Sequence, residues 1–317
     1  MSVIYCIGET LIDFIPAGET QEGTPLLAPM PGGAPSNTAV AAAKLGVRSA
    51  FIGKVGEDGF GHMLTDVIKS YTVDTKYMSM TREACTTLAF VTLTKDGERS
   101  FTFARKPGAD MLLSESDIPD GLFHTNDILH FGSLGLMPDS HSKKAHIKAI
   151  KSARAANALI SFDPNVRLPL WDDPNILRET IIEYLAFADI VKVSDDELEF
   201  IFNTDNEQTA VDFCFARGAG VVFVTRGRNG AAVYTPTFVT EVIGIPVTAL
   251  DTTGAGDAFN GAILSRFLGR PLSDGAKPEI LTDMLRFANA AGAFTVTRKG
   301  AMAGSPTLDE VHSFLRD

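Results

Sequence analysis

Cysteine is scarce in this sequence of 317 residues, and the three that occur, Cys6, Cys85 and Cys214, are far apart along the chain. A disulfide framework or a cysteine-based metal site needs cysteines at close, repeated spacings, so neither is indicated. Unpaired thiols are typical of proteins that work in a reducing compartment. We therefore expect a cytoplasmic protein.

Long apolar runs and an excess of basic residues are also missing. No apolar run approaches the roughly 20 residues that a transmembrane helix needs. The opening residues, MSVIYCIGET, lack the charged start and the cleavage site of a signal peptide. The chain has 28 Lys and Arg against 39 Asp and Glu, a net charge of −11. Because a nucleic-acid partner needs a basic face, we expect neither a nucleic-acid nor a membrane partner.

Two common nucleotide-binding motifs are absent as well. No G-x-G-x-x-G follows the first predicted strand, and G-x-x-x-x-G-K-[ST] does not occur. Dinucleotide enzymes of the Rossmann type and P-loop ATPases are therefore disfavoured. A bound nucleotide would have to be held by local N–H groups, a metal ion and a few basic residues.

A glycine-rich turn is the most informative stretch that the sequence does contain. Residues 251–268 read DTTGAGDAFNGAILSRFL, in which Gly254, Ala255 and Gly256 precede apolar residues at helical spacing. A turn without bulky side chains lets backbone N–H groups converge, and a helix N-terminus adds partial positive charge. The pattern predicts an anion site that suits a phosphate.

Two aspartates flank this turn. Asp257 falls in the first turn of the predicted helix, where it could take a proton from a hydroxyl that attacks a bound phosphoryl group. Asp251 precedes the turn, and a metal ion between it and the phosphates would explain a second carboxylate there. The alternative is a helix cap beside an ordinary tight turn. This stretch alone does not decide between the two interpretations.

Strands and helices alternate from residue 127 onward, which predicts a parallel sheet flanked by helices, an α/β fold. In such sheets ligands gather at the carboxyl ends of the strands. Polar residues occupy the predicted strand ends: Asp163, Asn165 and Arg167, then 192–197, then 225–230. Within the second group, Glu197 has an alternative role in the acidic first turn of the next helix.

The N-terminal region offers two further polar candidates. Asp13 lies between Ile12 and Phe14 on a predicted strand, where a charge needs a partner such as a sugar hydroxyl, unless it faces outward. Asn37 lies in the first turn of an alanine-rich helix that follows Gly32 and Gly33, and it could bind a polar ligand. Its alternative is a helix cap.

A predicted β-hairpin interrupts the alternation of strands and helices. Residues 86–104 contain TTLAFVTLTKDGERSFTF, two alternating runs around Asp96 and Gly97. Such a hairpin indicates a small sheet beside the main domain, a candidate lid. Arg105 and Lys106 follow it, and either they are solvated or they reach a substrate from the base of the lid.

These motifs together resemble the ribokinase or PfkB family of carbohydrate kinases, and within it the fructokinase branch. The resemblance covers about Gly8 to Gly304. It implies a ribokinase-like α/β kinase domain over residues 1–317, with a β lid formed by about 10–30 and 85–110. It rests on GETLIDF, GGAPSNTA, FIGKVGEDGFG, LAFVTLTKDGERSFTF, GADMLL, DPNVRLPLW, SDDEL, DTTGAGDAF and FANAAGAFTVT.

The resemblance also implies a role for each matching residue. Asp257 matches the base, and Asp251 and Thr253 match positions beside the phosphates and metal. The anion hole matches Gly254, Ala255 and Gly256; the sugar contacts match Asp13, Gly33, Asn37, Arg105 and Arg167; the nucleotide contacts match Lys192, Thr225, Gly227, Gly230 and Asn289. This sequence departs from the family's N-x-x-E motif at one position. Ser194 replaces the asparagine, whereas Glu197, which we expect to orient water or Mg²⁺, is kept.

The activity implied is phosphoryl transfer from ATP to a sugar, foremost to the terminal hydroxymethyl group of D-fructose. The cofactors implied are ATP and Mg²⁺, with K⁺ as an option beside the 296–301 loop, and the lid pairs two subunits in several relatives. The rival substrates are aminoimidazole riboside, 2-keto-3-deoxygluconate and nucleosides. A non-catalytic sugar or nucleotide sensor is disfavoured, because the base and the anion hole are both intact.

Overall fold

The computed structural model describes residues 2–93, 99–138 and 140–316. The strands in these ranges are β1 (Ile4–Ile7), β2 (Leu11–Glu19), β3 (Pro25–Gly32), β4 (Ser49–Gly56), β5 (Asp74–Thr81), β6 (Leu88–Leu93), β7 (Arg99–Ala104), β8 (Ile128–Gly132), β9 (Leu159–Asp163), β10 (Ile190–Ser194), β11 (Val221–Thr225), β12 (Ala231–Thr235) and β13 (Phe238–Val242).

The helices include one after the glycine-rich turn at 254–256 and one after the Gly32–Gly33 pair, as the sequence predicts. They are α1 (Ala34–Lys44), α2 (Gly59–Ser70), α3 (His141–Ala155), α4 (Pro174–Leu185), α5 (Asp195–Phe202), α6 (Glu207–Ala216), α7 (Ala255–Phe267), α8 (Leu272–Gly275), α9 (Pro278–Thr295), α10 (Ala301–Gly304) and α11 (Leu308–Phe314). None of the helices in the described ranges combines the length and apolar character needed to cross a membrane.

The main sheet has nine strands in the order β13-β12-β11-β10-β9-β8-β1-β4-β5. All pairs from β11 to β5 are parallel, whereas β12 pairs antiparallel with both β11 and β13. The predicted α/β fold with a mostly parallel sheet is therefore confirmed. Because the pleat alternates side chains, one face packs against α3 to α6 and the other against α1, α7 and α9.

A separate sheet of four strands has the order β3-β2-β6-β7. Strands β6 and β7 pair antiparallel, as the hairpin pattern predicts, while the Asp96-Gly97 turn lies outside the described residues. Strand β2 pairs antiparallel with β3 and parallel with β6. This sheet is built from residues 11–32 and 88–104, and its action as a lid stays a prediction.

Helices α1 and α7 cross closely at Gly261, which contributes no side chain to the contact. A Cβ atom placed on Gly261 of α7 would lie 2.7 Å from Ala41 Cβ, 2.9 Å from Ala42 N and 3.1 Å from Thr38 O. The alanines of α1 and this glycine therefore permit the close approach that the alanine-rich sequence predicts. Residues four apart lie on the same face of a helix. Asn37 is four residues before Ala41, and Asp257 is four residues before Gly261, so the same crossing brings Asn37 close to Asp257.

We predict that Gly261→Val destabilises the fold, because the new side chain has no space at this crossing. Overpacking of this kind costs about 1–3 kcal/mol, and valine offers little helix propensity in return. The free energy of unfolding should fall by about 2 kcal/mol in urea titrations. The matched control is Gly59→Val at the first residue of α2, where a Cβ meets nothing within 4 Å. Equal losses in the two variants would contradict the proposed role of the crossing.

Candidate active site

The start of α7 is an uncapped helix N-terminus held open by glycine. Gly254 is the N-cap residue with φ 82°, in the left-handed region, and no side chain caps the helix there. Helical hydrogen bonding begins with Ala258 N–H to Gly254 O at 2.8 Å. A Cβ on Gly254 would lie 2.4 Å from Ala301 Cβ, so only glycine fits. The predicted turn is confirmed, and its backbone N–H groups suit an anion.

Asp257 is half-buried in the first turn of α7, and its carboxylate accepts a hydrogen bond from Asn37 Nδ2 at 2.8 Å. Burial raises the pKa of Asp257 to about 6; the Asn37 bond and the charges of Arg167 and Lys192 lower it, and Asp163 raises it. At neutral pH this group is ionised, yet it is a stronger base than an ordinary aspartate.

Asn37 contacts Asp257 rather than capping its own helix, because Gly33 is the N-cap residue of α1. Its amide oxygen is buried and has no hydrogen-bond partner among the described residues. A Cβ on Gly33, where φ is 107°, would lie 2.6 Å from Glu9 O, so this turn also requires glycine. Asn37 is thus one helical turn beyond the Gly33 turn and directly bonded to Asp257.

Lys192 places a buried ammonium beside the glycine turn. A Cβ on Gly256 would lie 3.5 Å from Lys192 Nζ, and Nζ donates to Asp163 Oδ2 at 3.2 Å. Burial lowers the pKa of Lys192, but the charges of Asp163 and Glu197 raise it more, and the net direction is upward. Lys192 therefore carries a positive charge at the mouth of the anion site.

Asp13 lies within electrostatic range of Arg167, Asp251 and Asp257. Burial raises the pKa of Asp13 to about 6, while Arg167 lowers it and Asp251 and Asp257 raise it. Arg167 is exposed, and one guanidinium nitrogen donates to Val166 O at 3.0 Å. Because Arg167 acts on both Asp13 and Asp257, the structure brings these three predicted site residues together.

Arg105 is buried rather than solvated. Its Nη2 and Nε donate to Asp110 Oδ2 at 2.6 and 2.9 Å, and Thr87 donates to the other oxygen of Asp110. Lys106, by contrast, is exposed and forms an ion pair with the exposed Asp172. The structure gives Arg105 an anchoring role where β7 ends, and its contact with a sugar stays a prediction.

The predicted nucleotide residues Gly230 and Asn289 meet at one loop. Gly230 has φ 103°, and a Cβ there would lie 2.0 Å from Val242 O. Asn289 Nδ2 donates to Val242 O and Ile243 O at 3.1 and 3.3 Å. Thr225 ends β11, and Gly227, with φ 50°, begins the turn that leads to Gly230. These side chains shape the loop, and their contact with nucleotide stays a prediction.

Glu197 has a clear local role. Its carboxylate accepts from Ser194 N at 2.9 Å, in a capping box at the start of α5, and from Val166 N at 2.7 Å. The alternative interpretation, an acidic first turn, is therefore confirmed. The predicted contact with water or Mg²⁺ remains a prediction.

Asp251 joins two loops beside the turn. Its carboxylate accepts from Thr253 N and Gly300 N, each at 3.0 Å, and Leu250 N donates to Val296 O at 2.7 Å. Within residues 2–93, 99–138 and 140–316, no group of three or more His, Cys, Asp or Glu side chains could hold a metal ion. A single carboxylate beside phosphates needs no such group, and the metal role of Asp251 and Thr253 stays a prediction.

Sequence reasoning gave no role to two buried polar residues, Glu9 and Asn260. Glu9 accepts from Ala34 N at 3.2 Å, and burial raises its pKa to about 7. Asn260 Nδ2 donates to Asp163 Oδ2 at 2.7 Å. The available signal was the presence of polar residues in apolar surroundings: Glu9 directly after a buried strand, and Asn260 one turn beyond Asp257 on the packed face of α7.

Comparison with known proteins assigns the family. The pattern of the pfkB family carbohydrate kinases matches residues 1–308. The chain belongs to this family. A probable fructokinase-6 of Arabidopsis thaliana, described as chloroplastic, is 44% identical over 98% of this chain and 82% of its own. Fructokinase-2 of Zea mays is 43% identical over 97% of this chain and 92% of its own.

Solved structures of other pfkB-type kinases share the fold. A double mutant of the fructokinase from Vibrio cholerae O395, with fructose, ADP and potassium ion bound, superposes with a TM-score of 0.90 at 36% identity, covering 99% of this chain and 98% of its own. Aminoimidazole riboside kinase from Salmonella enterica superposes with a TM-score of 0.88 at 30% identity, covering both chains fully. In this carbohydrate kinase, as the fold predicts, the candidate site lies at the carboxyl ends of β9 to β11 and the start of α7.

We predict that the kinase activity falls below about pH 6, because Asp257, the predicted base, is then protonated and cannot accept a proton. The Arg167→Gln variant loses a charge that lowers the pKa of both Asp257 and Asp13, so the acid limb of kcat/KM should move to higher pH. Profiles of kcat/KM between about pH 5 and 9 measure this shift. Arg286→Gln, on the exposed side of α9, is the control and should leave the limb in place. A limb that stays fixed in Arg167→Gln would show that Arg167 does not act on the base.

Proposed function

We propose that this protein is an ATP-dependent fructokinase, which converts D-fructose and ATP to D-fructose 6-phosphate and ADP. The observation that carries the proposal is the position of Asp257: an aspartate with a raised pKa, beside an uncapped helix N-terminus and a buried ammonium. A base, a phosphate cradle and a cation in one cleft are the parts that phosphoryl transfer needs.

The chemistry follows from this geometry. The hydroxyl oxygen of the sugar attacks the γ-phosphorus, and Asp257 accepts the hydroxyl proton as the new P–O bond forms. The bond between the γ-phosphorus and the β–γ bridging oxygen breaks, and ADP leaves. Backbone N–H groups at 254–256 and the Lys192 ammonium stabilise the charge on the transferring phosphoryl oxygens. Proton removal by a placed base is worth roughly 10²–10⁴-fold in rate.

We propose fructose as the acceptor because the chain is more similar in sequence to fructokinases than to the aminoimidazole riboside kinase. Curated fructokinases share 41–44% identity with this chain over nearly its whole length, against 30% for the aminoimidazole riboside kinase structure. Asp13, Asn37 and Arg167 line the cleft beside the base and are our proposed sugar contacts, together with Gly33 and Arg105. Aminoimidazole riboside is the second candidate, because that kinase shares the fold at a TM-score of 0.88.

ATP and a metal ion fit the residues around the turn. The glycines at 254 and 256 leave the cradle free of side chains, and Asp251 supplies a carboxylate next to it. When bound, Mg²⁺ would neutralise charge on the β- and γ-phosphates. We also propose K⁺ beside the loop 296–301 that Asp251 contacts, since a fructokinase relative binds potassium ion.

The small sheet is our proposed lid and a candidate surface for a homodimer. Its strand β3 exposes Leu26 and Leu27 by 43% and 41%, which is apolar surface that a second copy could cover. A cytoplasmic location stays a prediction from the cysteines; Cys6, Cys85 and Cys214 are free thiols in the structure. Nucleic-acid and membrane partners remain unexpected on the grounds of charge.

The purified enzyme, incubated with ATP and Mg²⁺, should phosphorylate fructose at the terminal hydroxyl. The test is ADP release with a panel of fructose, aminoimidazole riboside, 2-keto-3-deoxygluconate and nucleosides, followed by identification of the product by NMR. Higher kcat/KM for a nucleoside-like acceptor than for fructose would replace fructokinase by the rival activity. No ADP release with any acceptor would refute the kinase.

We expect Asp257→Asn to lower kcat by about a hundredfold or more while the binding of sugar and nucleotide is kept, because only the base is lost. Calorimetry with fructose and with ADP measures binding. The variant should also be more stable at pH 7.5, by up to about 2 kcal/mol, because burial disfavours the charged form of Asp257. Near-normal turnover would show that the base is elsewhere, and a loss of stability would make the kinetic loss uninformative.

The two arginines should separate in their effects. Arg167→Ala should raise the apparent KM for the sugar more than that for ATP and leave stability unchanged, because this side chain is exposed. Arg105→Ala should do the same to KM but also lower the free energy of unfolding by about 3–5 kcal/mol, because it leaves the buried Asp110 unpaired. If a variant changes the KM for sugar and the KM for ATP equally, the arginine that it replaces does not contact the sugar.

A further inference from the structure

Asp163 lies where the main sheet, the candidate phosphate site and α7 meet. It is the last residue of β9 and is 3% exposed. Parallel pairing aligns Ser161 with Ile190 and Phe162 with Val191, so the next step of the register brings Asp163 beside Lys192. Both side chains then lie on the sheet face that packs against α7.

One carboxylate oxygen of Asp163 accepts hydrogen bonds from side chains of two different elements, β10 and α7. Its Oδ2 accepts from Lys192 Nζ at 3.2 Å and from Asn260 Nδ2 at 2.7 Å, while Oδ1 accepts from Asn165 N at 3.1 Å. Lys192 belongs to β10 and Asn260 to α7, one turn after Asp257. Among the described residues, Asp163 is the one hydrogen-bond partner of the Lys192 ammonium. That leaves donors of the ammonium for a ligand at the glycine turn.

The position of the ammonium depends on this oxygen. A lysine side chain is long and flexible, and a buried ammonium settles where a negative charge compensates it. The charges of Asp163 and Glu197 both act on Lys192, but the hydrogen bond goes to Asp163, and the resulting position is beside Gly256. The same oxygen bonds α7 through Asn260. One group therefore contacts both the ammonium and the helix that carries Asp257.

We propose that Asp163 is a positioning residue, which fixes the Lys192 ammonium and the base-bearing helix α7 to one oxygen so that cation and base keep a set separation. The proposal rests on the proposed phosphoryl transfer, but not on which sugar accepts the phosphoryl group. Asn260 is the residue of α7 through which Asp163 contacts this helix.

Kinetics of single and double variants test this. Asp163→Asn keeps the shape and removes the charge; we expect kcat to fall about tenfold or more, with the sugar KM changed by less than about threefold. If Asp163 acts through Lys192, the double variant Asp163→Asn/Lys192→Met should be no more than about threefold slower than Lys192→Met alone. The matched control is Ser161→Ala on the same strand and face, where Ser161 contacts His130 instead; kcat should stay within about twofold.

A kcat for Asp163→Asn within about twofold of the wild type, or losses that multiply in the double variant, would overturn the proposal. Thermal melts show whether each variant is folded. If Asp163→Asn does not fold, Asp163→Ser, which also removes the charge, carries the same cycle with Lys192→Met, and the same two outcomes decide.

Nucleotide binding supplies a readout that does not depend on turnover. The ammonium lies beside the glycine turn, which is our proposed site for the transferring phosphoryl group. Asp163→Asn should therefore reduce the preference of the sugar-free enzyme for a non-hydrolysable ATP analogue over ADP by about threefold or more in calorimetry. Ser161→Ala should keep the wild-type preference. A purely structural Asp163 would lower the melting temperature and leave the preference unchanged. If the wild type phosphorylates no acceptor, the proposed function fails while this ratio still decides the role of Asp163.

Discussion

The close crossing of α1 and α7 is the constraint on which the site depends. Gly261 leaves no side chain between the helices, and the alanines of α1 fill the space that remains. Because both helices are rigid, the contact at Gly261 and Ala41 also fixes the residues one turn earlier. Those residues are Asp257 and Asn37, which are joined by a hydrogen bond of 2.8 Å. The geometry of the base is therefore a consequence of packing remote from any ligand.

Burial makes the ionised forms of three acids unfavourable. Burial raises the pKa of Asp13 and Asp257 to about 6 and that of Glu9 to about 7. Each group binds its proton more tightly in the folded state. Its contribution to the free energy of unfolding is therefore fully present below the ordinary carboxyl pKa of about 4, and it is lost as the pH rises through about 6 to 7. At a pH where Asp257, the proposed base, is ionised, these buried acids thus lower the stability of the fold, a trade expected of active sites.

Local sequence signals predicted much of this arrangement, and long-range contacts account for the rest. The turn at Gly254, the helix after it and the parallel strands follow from patterns within about ten residues. The antiparallel strands β12 and β13 did not stand out, because short strands at a sheet edge have weak periodicity. Thr87 bonds across 23 positions to the carboxylate of Asp110 that also holds Arg105, and Asn260 bonds across 97 positions to Asp163. Such pairs leave no local trace in a single sequence.

The two sheets divide the candidate sugar site between them. Asp13 belongs to the small sheet, whereas Asn37 and Asp257 belong to helices on the main sheet. The chain segments that connect the sheets are joined to one another: Thr10 Oγ1 donates to Gly32 O, Ile12 N to Thr87 O, and Ala109 N to Cys85 O. These bonds tie the connecting segments to one another. In the lid movement that we propose for the small sheet, Asp13 would move relative to Asp257, whereas Asn37 and Asp257 would keep their bond. The proposed sugar contacts would then change without disturbing the proposed base.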